Sequence, residues 1–171
     1  ITLNIWGGKL HDELFDFLKI NKDKIDIFCF QETFKSDRST LTPNGSYSNI
    51  INELKNELTD FDYFMSPVYF NRDFENTVDY PLAQGPAIFW KKNLVPIKKG
   101  EVFVHYKQNE VRFFENNKPD SARCFQYIIF NNFLIANIHG YWAPSPKTDT
   151  PERIRQSQII LEFIGRYYEF H

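Results

Sequence analysis

The sequence predicts a single mixed α/β domain, and three observations carry this prediction. Apolar runs of strand length alternate with segments whose apolar residues recur at helical spacing. Two later strand-like runs follow one another around Asn131 and Asn132, which indicates an antiparallel hairpin. No internal repeat, low-complexity tract or charge run marks a linker. These features favour one mixed sheet protein over a purely parallel nucleotide-binding sheet.

The first half of the chain opens with a predicted strand-helix-strand unit. Its helix carries Leu10, Leu14, Phe17 and Leu18 at helical spacing, and its second strand contains a continuous apolar run that is typical of a strand covered on both faces. A loop rich in Ser, Thr, Pro, Asn and Gly follows. The predicted elements are a strand at 1–6, a helix at 9–23, a strand at 25–31, a loop at 36–48, a helix at 49–58 and a strand at 61–66.

The second half begins with a polar, irregular segment and continues with four predicted strands and a helix. The strands are expected at 86–92, 95–106, 121–131 and 132–142. The final helix has Thr150 as its N-cap, Pro151 at the first helical position and Glu152 in the first turn. Its core-facing stripe is predicted to consist of Ile154, Leu161 and Ile164.

Composition limits the classes of partner. Twenty basic and 22 acidic residues give a formal charge of -2, so no global positive field holds long nucleic acid, and any phosphate group would have to be bound by local contacts. The 18 Phe and 9 Tyr predict an aromatic core. Cys29 and Cys124 lie in apolar runs and are predicted to be buried free thiols.

The sequence contains no apolar stretch long enough to span a bilayer and no secretion signal. It begins without methionine and already in a strand pattern, so we expect further residues upstream. A cytoplasmic location is favoured, and secretion stays open as an alternative. The sequence predicts no particular oligomeric state.

Polar residues stand where the predicted strands end. Asn4 ends the first strand, Glu32 the second, and Asn137 and His139 interrupt an apolar run. Each has an ordinary structural explanation: a turn cap, a solvated carboxylate or a hydrogen-bonded core histidine. Reactive side chains are often held at the ends of strands on one side of a sheet, because the sheet is a rigid scaffold. The four polar residues together therefore predict a functional site.

Five segments, in this order, resemble the first half of the endonuclease/exonuclease/phosphatase superfamily, which has the fold of pancreatic deoxyribonuclease. The most specific parts are the strand-end Asn, the Q-E pair, the N-x-H and the R-x-x-Q at the start of the last helix. The segments are "TLNIWGG", "DIFCFQET", "GPAIFWKK", "ANIHGYW" and "TDTPERIRQSQIILEFI".

This resemblance implies the N-terminal part of a four-layered α/β/β/α sandwich. It also implies metal-dependent hydrolysis of phosphate esters by a phosphodiesterase or nuclease, with Mg²⁺ as cofactor and Mn²⁺ or Ca²⁺ as alternatives. The substrate classes left open are nucleic acid, nucleotide, lipid headgroup and inositol phosphate, and the loop-rich region 35–84 is predicted to shape specificity. The alternative function is a non-catalytic binding module that kept the fold and lost the metal chemistry.

The resemblance also implies roles for individual residues. Glu32 matches the metal-ligand glutamate, Asn4 the asparagine that positions metal and phosphate, and His139 a histidine on the scissile phosphate. The residues themselves add weaker hypotheses. Arg123 either contacts phosphate or forms a surface salt bridge. Asn137 shares a strand face with His139 and is a candidate for substrate binding.

Three further motif residues receive supporting roles. Gln31 is expected to orient Glu32 or the adjoining loop. Arg153 and Gln156, from the R-x-x-Q, are expected to make structural hydrogen bonds.

The sequence departs from the family pattern after its last helix. The G-D-x-N and S-D-H motifs of family members are absent from the 171 residues. Such a chain is either a truncated portion of a longer protein or a relative that lost its second half. We expect a single domain truncated at its C-terminus, since half of a two-sheet sandwich exposes an apolar face and open strand edges.

Overall fold

In the computed structural model, which describes residues 1–144 and 148–169, two β-sheets face each other and helices cover both outer sides. The first sheet has the order β1-β2-β5-β3, with β4 also paired to β5. β1 runs parallel to β2, and the other pairs are antiparallel. Its strands are β1 (Thr2–Asn4), β2 (Ile27–Ser36), β3 (Phe61–Met65), β4 (Tyr69–Phe70) and β5 (Leu82–Lys91).

Two helices, α1 (His11–Asn21) and α2 (Ile50–Glu57), cover the outer face of this sheet. Leu18 of α1 and Leu54 of α2 are fully buried against the aromatic face of β2, which includes Phe30. Truncating a phenylalanine in such a site costs about 3–5 kcal/mol. The aromatic core predicted from composition is therefore confirmed, and it makes β2 a stiff support.

The second sheet has the order β10-β9-β6 and is antiparallel throughout. The hairpin predicted around Asn131 and Asn132 is confirmed, since Leu134 pairs with Ile129. The strands are β6 (Lys98–His105), β9 (Arg123–Ile129) and β10 (Leu134–Ile138).

Helix α3 (Pro151–Glu169) packs on the outer face of the second sheet. It begins as predicted, because the Arg153 N–H donates to Thr150 Oγ1 over 3.3 Å. The predicted core stripe is wrong, since Ile154 and Leu161 are 50% and 68% exposed. Phe163 of the helix instead points toward the sheet. Its ring centroid lies 5.0 Å from that of Phe125 and 4.5 Å from that of Tyr127.

Between the sheets, Cys29 and Trp90 of the first sheet pack with Ile128 of the second. Cys29 and Cys124 are buried free thiols, as predicted. Burial raises the pKa of Cys29 to about 11 and that of Cys124 to about 12. Among the described helices, none is long and apolar enough to cross a membrane.

A small hairpin that the sequence did not predict joins β6 to β9. It consists of β7 (Val111–Phe113) and β8 (Pro119–Ser121). Its base is anchored by Asp120, whose carboxylate accepts a hydrogen bond from Tyr106 Oη at 2.9 Å and lies 2.9 Å from His105 Nε2. The hairpin escaped prediction because strands of three residues are too short for an alternating pattern.

Candidate active site

Glu32 lies at a β-bulge inside β2. Phe30 pairs with Ala87 and Thr33 with Gly85, so β2 carries one extra residue at this point. Glu32 has φ 60, a left-handed conformation that costs roughly 1–2 kcal/mol for a residue with a side chain. The predicted strand end is therefore a bulge, after which β2 continues to Ser36.

Asn4, at the end of β1, lies beside Gln31 in the parallel register. Its Oδ1 accepts the Trp6 N–H at 2.9 Å. Burial raises the pKa of Glu32, while a hydrogen bond from Asn4 and the charges of Arg123 and Lys9 oppose that increase. The Glu32 carboxylate is thus only partly compensated by its protein neighbours.

The turn after β1 brings the chain close to the bulge. Gly7 has φ 63, and a Cβ added there would lie 2.3 Å from Ser46 Oγ. Only glycine fits this position without displacing the neighbouring loop. The turn leaves Trp6 54% exposed, with Lys9 Nζ 4.8 Å from the centroid of its ring.

His139 follows β10, and its Nε2 lies 3.6 Å from Glu32 Oε1. Burial and the charge of Arg123 lower the pKa of His139 to about 4. The imidazole is therefore neutral at neutral pH.

Arg123 stands at the start of β9, half-buried. Its Nε is buried without a hydrogen-bond partner, and no carboxylate in the described parts of the chain forms an ion pair with it. The surface salt bridge considered from the sequence is absent from these residues. We call Glu32, Arg123 and His139 the cleft floor.

Asn137 is buried between the sheets, at 2% exposure. Its Nδ2 donates to Phe30 O at 2.9 Å and to Ala87 O at 3.3 Å, and its Oδ1 accepts from Gln31 Nε2 at 2.6 Å. The predicted substrate contact finds no support in this arrangement, because the side chain is already occupied. We call Gln31 and Asn137 the inter-sheet bridge.

Gln31 does not contact Glu32 with its side chain amide. Besides Asn137, its Nε2 donates to Thr2 Oγ1 at 2.9 Å and to Cys29 O at 3.2 Å. It therefore fixes the strand on which the bulge is built. Gln156 of the R-x-x-Q makes a structural hydrogen bond, as expected, accepting the Tyr141 N–H at 2.8 Å two residues beyond His139.

The cleft floor opens into a cleft of about 620 Å³. Sequence reasoning missed Gln84, which also lines this cleft and whose Oε1 is buried without a partner in the described residues. The sequence feature that could have identified Gln84 is its position as the single amide side chain within the largely apolar segment "PLAQGPAIFW". Other lining residues include Trp6, Lys9, Asn44, Arg72, Glu75, Phe113, Lys118 and Trp142.

Solved structures of known proteins match this fold. An endonuclease/exonuclease/phosphatase family protein from Leptotrichia buccalis C-1013-b superposes with a TM-score of 0.62 and 16% identity, over 94% of this chain and 60% of its own. The endonuclease/exonuclease/phosphatase from Bacteroides vulgatus gives a TM-score of 0.60 at 14% identity, over 96% and 59%. The chain has the endonuclease/exonuclease/phosphatase fold.

The mannosyl-6-phosphatase Bt3783 of Bacteroides thetaiotaomicron VPI-5482 shares this fold, with a TM-score of 0.53 and 16% identity over 95% of this chain and 52% of that one. The chain thus spans between about half and 60% of the lengths of these three structures. No family model and no curated protein sequence matches it. The four-layered sandwich predicted from the sequence is confirmed at the level of the fold.

On this endonuclease/exonuclease/phosphatase fold, Glu32 and Asn4 are the oxygen donors predicted to bind a metal. No group of three or more His, Cys, Asp or Glu side chains that could hold an ion occurs in 1–144 or 148–169. One carboxylate with one amide oxygen suits Mg²⁺, which keeps several of its waters.

Proposed function

We propose that this chain carries part of the active site of a hydrolase of phosphate esters that is assisted by a divalent cation, with Mg²⁺ favoured over Mn²⁺ or Ca²⁺. The observation that supports this best is Arg123 Nε, which is buried without a hydrogen-bond partner among the described residues, in a guanidinium whose charge acts on both Glu32 and His139. A buried N–H without a hydrogen-bond partner is costly, and the nearby Glu32 carboxylate forms no ion pair with Arg123, so an anionic ligand is the natural partner. Guanidinium geometry matches two oxygens of a phosphate.

Glu32 and Asn4 would hold the cation. When bound, it would neutralise charge on the phosphate and polarise a phosphoryl oxygen. The bulge holds the Glu32 side chain at 14% exposure, which limits its movement before the ligand arrives.

Arg123 and His139 supply the remaining contacts. Arg123 binds phosphoryl oxygens and holds the group against the floor of the cleft. His139, neutral because burial and Arg123 lower its pKa to about 4, donates a hydrogen bond to an oxygen that gains negative charge in the transition state. The inter-sheet bridge keeps β2, which carries Glu32, at a fixed separation from β10, which His139 directly follows.

The names of the similar structures include nuclease and phosphatase activities, and one is a sugar phosphatase. They support a phosphate-ester substrate without choosing between diester and monoester. The phosphodiesterase or nuclease activity implied by the sequence therefore remains part of the proposal.

The test is to assay the full-length protein against phosphodiesters and phosphomonoesters with Mg²⁺, Mn²⁺ or Ca²⁺, and then with a chelator. We expect turnover with a cation and none with the chelator. Arg123→Met should weaken binding of inorganic phosphate and lower turnover, whereas Arg38→Met, which removes an exposed arginine that lies outside the cleft and 3.9 Å from Asp79, should change neither. Phosphate binding without turnover on any ester would overturn the proposal in favour of a binding module.

A further inference from the structure

We propose that the mouth of the cleft is a ring-stacking subsite for the alcohol part of the ester, formed by the β7-β8 hairpin and Trp142, and that its ligand is a sugar phosphate. This inference rests on the proposed function, since it names the substrate class of the same cleft. It assigns a role to an element that neither the sequence motifs nor the cleft floor uses.

The size of the cleft is the first argument. A cleft of about 620 Å³ falls in the range of about 300–1,000 Å³ that holds small organic ligands. A phosphate group bound on the floor occupies only a small part of that space. The remainder is available to the organic group that the phosphate is attached to.

Aromatic side chains form one wall of this remaining space. Phe113 of β7 is 60% exposed and Trp142 is 40% exposed, and both line the cleft. Phe114 meets the Trp142 ring edge-on at 6.1 Å, and Lys118 Nζ lies 5.5 Å from the centroid of the same ring. The hairpin thus steadies the indole, which keeps apolar surface in contact with the cleft.

The hairpin is itself held at its base. The Asp120 side chain is 12% exposed, and its carboxylate engages His105 and Tyr106, each at 2.9 Å. Arg112 lies over the Tyr106 ring at 4.6 Å. A wall fixed in this way binds a rigid ring at a lower entropic cost than a mobile loop would.

Polar side chains from the loop region form the other wall. Asn44, Arg72 and Glu75 line the cleft there, and the Asn44 N–H donates to the Asp73 carboxylate at 3.0 Å. Amide, guanidinium and carboxylate groups suit a ring with many hydroxyls, which both donates and accepts hydrogen bonds.

The charges of the residues that line the cleft favour a sugar phosphate over a nucleic acid as ligand. The basic side chains are Lys9, Arg72, Lys118 and Arg123, and the acidic ones are Glu32, Asp73 and Glu75. This near balance provides little attraction for a polyanion, whose binding depends on many uncompensated cations. One phosphate on a neutral, hydroxylated ring fits the balance better.

The experiment compares a hexose 6-phosphate, methyl phosphate and a dinucleotide as substrates of the full-length protein. Trp142→Ala should lower the ratio of kcat/KM for hexose 6-phosphate to that for methyl phosphate by about tenfold, the loss of one stacking contact. Phe70→Ala removes a ring that is 41% exposed and does not line the cleft, and it should leave that ratio unchanged. An unchanged ratio in Trp142→Ala, or a preference for the dinucleotide, would overturn the sugar subsite.

Failure of the proposed hydrolysis can be told apart from failure of the subsite. If no ester is hydrolysed, tryptophan fluorescence is titrated with hexose 6-phosphate. Quenching in the parent protein that disappears in Trp142→Ala supports the subsite as a binding site, and absence of quenching rejects it. The cleft exposes Trp6 and Trp142, while Trp90 is buried, so the signal reports on this mouth.

Discussion

Gln31 and Glu32 are neighbours in β2, yet they belong to two different polar regions. The amide of Gln31 enters the inter-sheet bridge, where the Gln31 and Asn137 side chains meet several partners at 2.6–3.3 Å. Glu32 enters the cleft floor, where the contact to His139 is 3.6 Å and Arg123 Nε has no partner in the described chain. Satisfied polar groups stabilise a fold, whereas unsatisfied ones held in place are available to a ligand.

Glu32→Gln should produce the largest effect on the cleft floor. Loss of the carboxylate removes the proposed cation ligand, so we expect turnover to fall by about a thousandfold or more. The free energy of unfolding should hardly change, because the wild-type carboxylate is buried at a cost that is visible in its raised pKa. Steady-state assays at saturating Mg²⁺ and denaturant titration measure the two quantities.

The exposed Glu162→Gln, in the interior of α3, is the matched control and should change neither turnover nor the free energy of unfolding. Near-normal turnover of Glu32→Gln would remove Glu32 from the proposed site.

His139→Ala should lower turnover by about a hundredfold, the effect of one positioned hydrogen-bond donor. His139→Asn should retain part of the activity, since an amide also donates. Single-turnover rates locate the loss in the chemical step. A clear loss of stability with an unchanged rate of the chemical step would show that His139 has a structural role and no catalytic one.

Asn137→Ala tests the inter-sheet bridge and should show the reverse pattern. It removes the shortest of the three hydrogen bonds of Gln31 Nε2 and the amide donor to the carbonyls of Phe30 and Ala87, which we expect to cost about 3 kcal/mol of folding free energy. Thermal unfolding measures this loss, with the exposed Asn56→Ala as control. Greater loss of turnover than of stability would give Asn137 the substrate role predicted from the sequence.

The pH dependence of stability separates two histidines. His139 has a pKa lowered from 6.5 to about 4, so between these values the unfolded chain takes up a proton that the folded chain does not, and stability falls as pH falls. For His11, burial lowers the pKa, but hydrogen bonds to Glu53 and Asp12 raise it overall, so its protonation adds stability.

Denaturant titrations from pH 7 to pH 4 should therefore give difference curves of opposite sign for His139→Asn and His11→Asn. Curves of the same sign would show that His139 is not kept neutral by its surroundings.

The smallest effect concerns the bulge. At φ 60, glycine is free of the strain that alanine bears, so Glu32→Gly should be more stable than Glu32→Ala by roughly 1 kcal/mol, the opposite of their order in a regular strand. Denaturant titration of both variants measures the difference. Equal stabilities would indicate that the backbone relaxes at the bulge.

Local patterns predicted the elements whose causes are local. Thr150 and Pro151 located the start of α3, and the Asn131-Asn132 turn located the β9-β10 hairpin. Alternation along β10 predicted that Ile135 and Asn137 share one face, and the structure packs that face against the first sheet.

Features that depend on distant partners were not predictable. The bulge at Glu32 arises from pairing with β5, and the buried face of α3 is set by the aromatics of the second sheet. Asn137 was predicted to face the cleft because its hydrogen-bond acceptors, Phe30 O and Ala87 O, lie on strands far away in sequence. The sequence near Asn137 therefore did not reveal that its amide is already bonded. Gln84 was missed for the same reason, since its burial follows from packing between elements.

The inter-sheet bridge also has a consequence in time. The bonds from Asn137 to Phe30 and Gln31 span 107 and 106 residues. Closing a loop of that length costs about 4 kcal/mol of chain entropy, so the bridge is expected to form after the local hairpins and helices. On a ribosome that adds about 5–20 residues per second, Gln31 waits roughly 5–20 s before Asn137 is even made. During that interval Gln31 Nε2 has only the acceptors Thr2 Oγ1 and Cys29 O, and the amide joins the two sheets only after the later strand has been made.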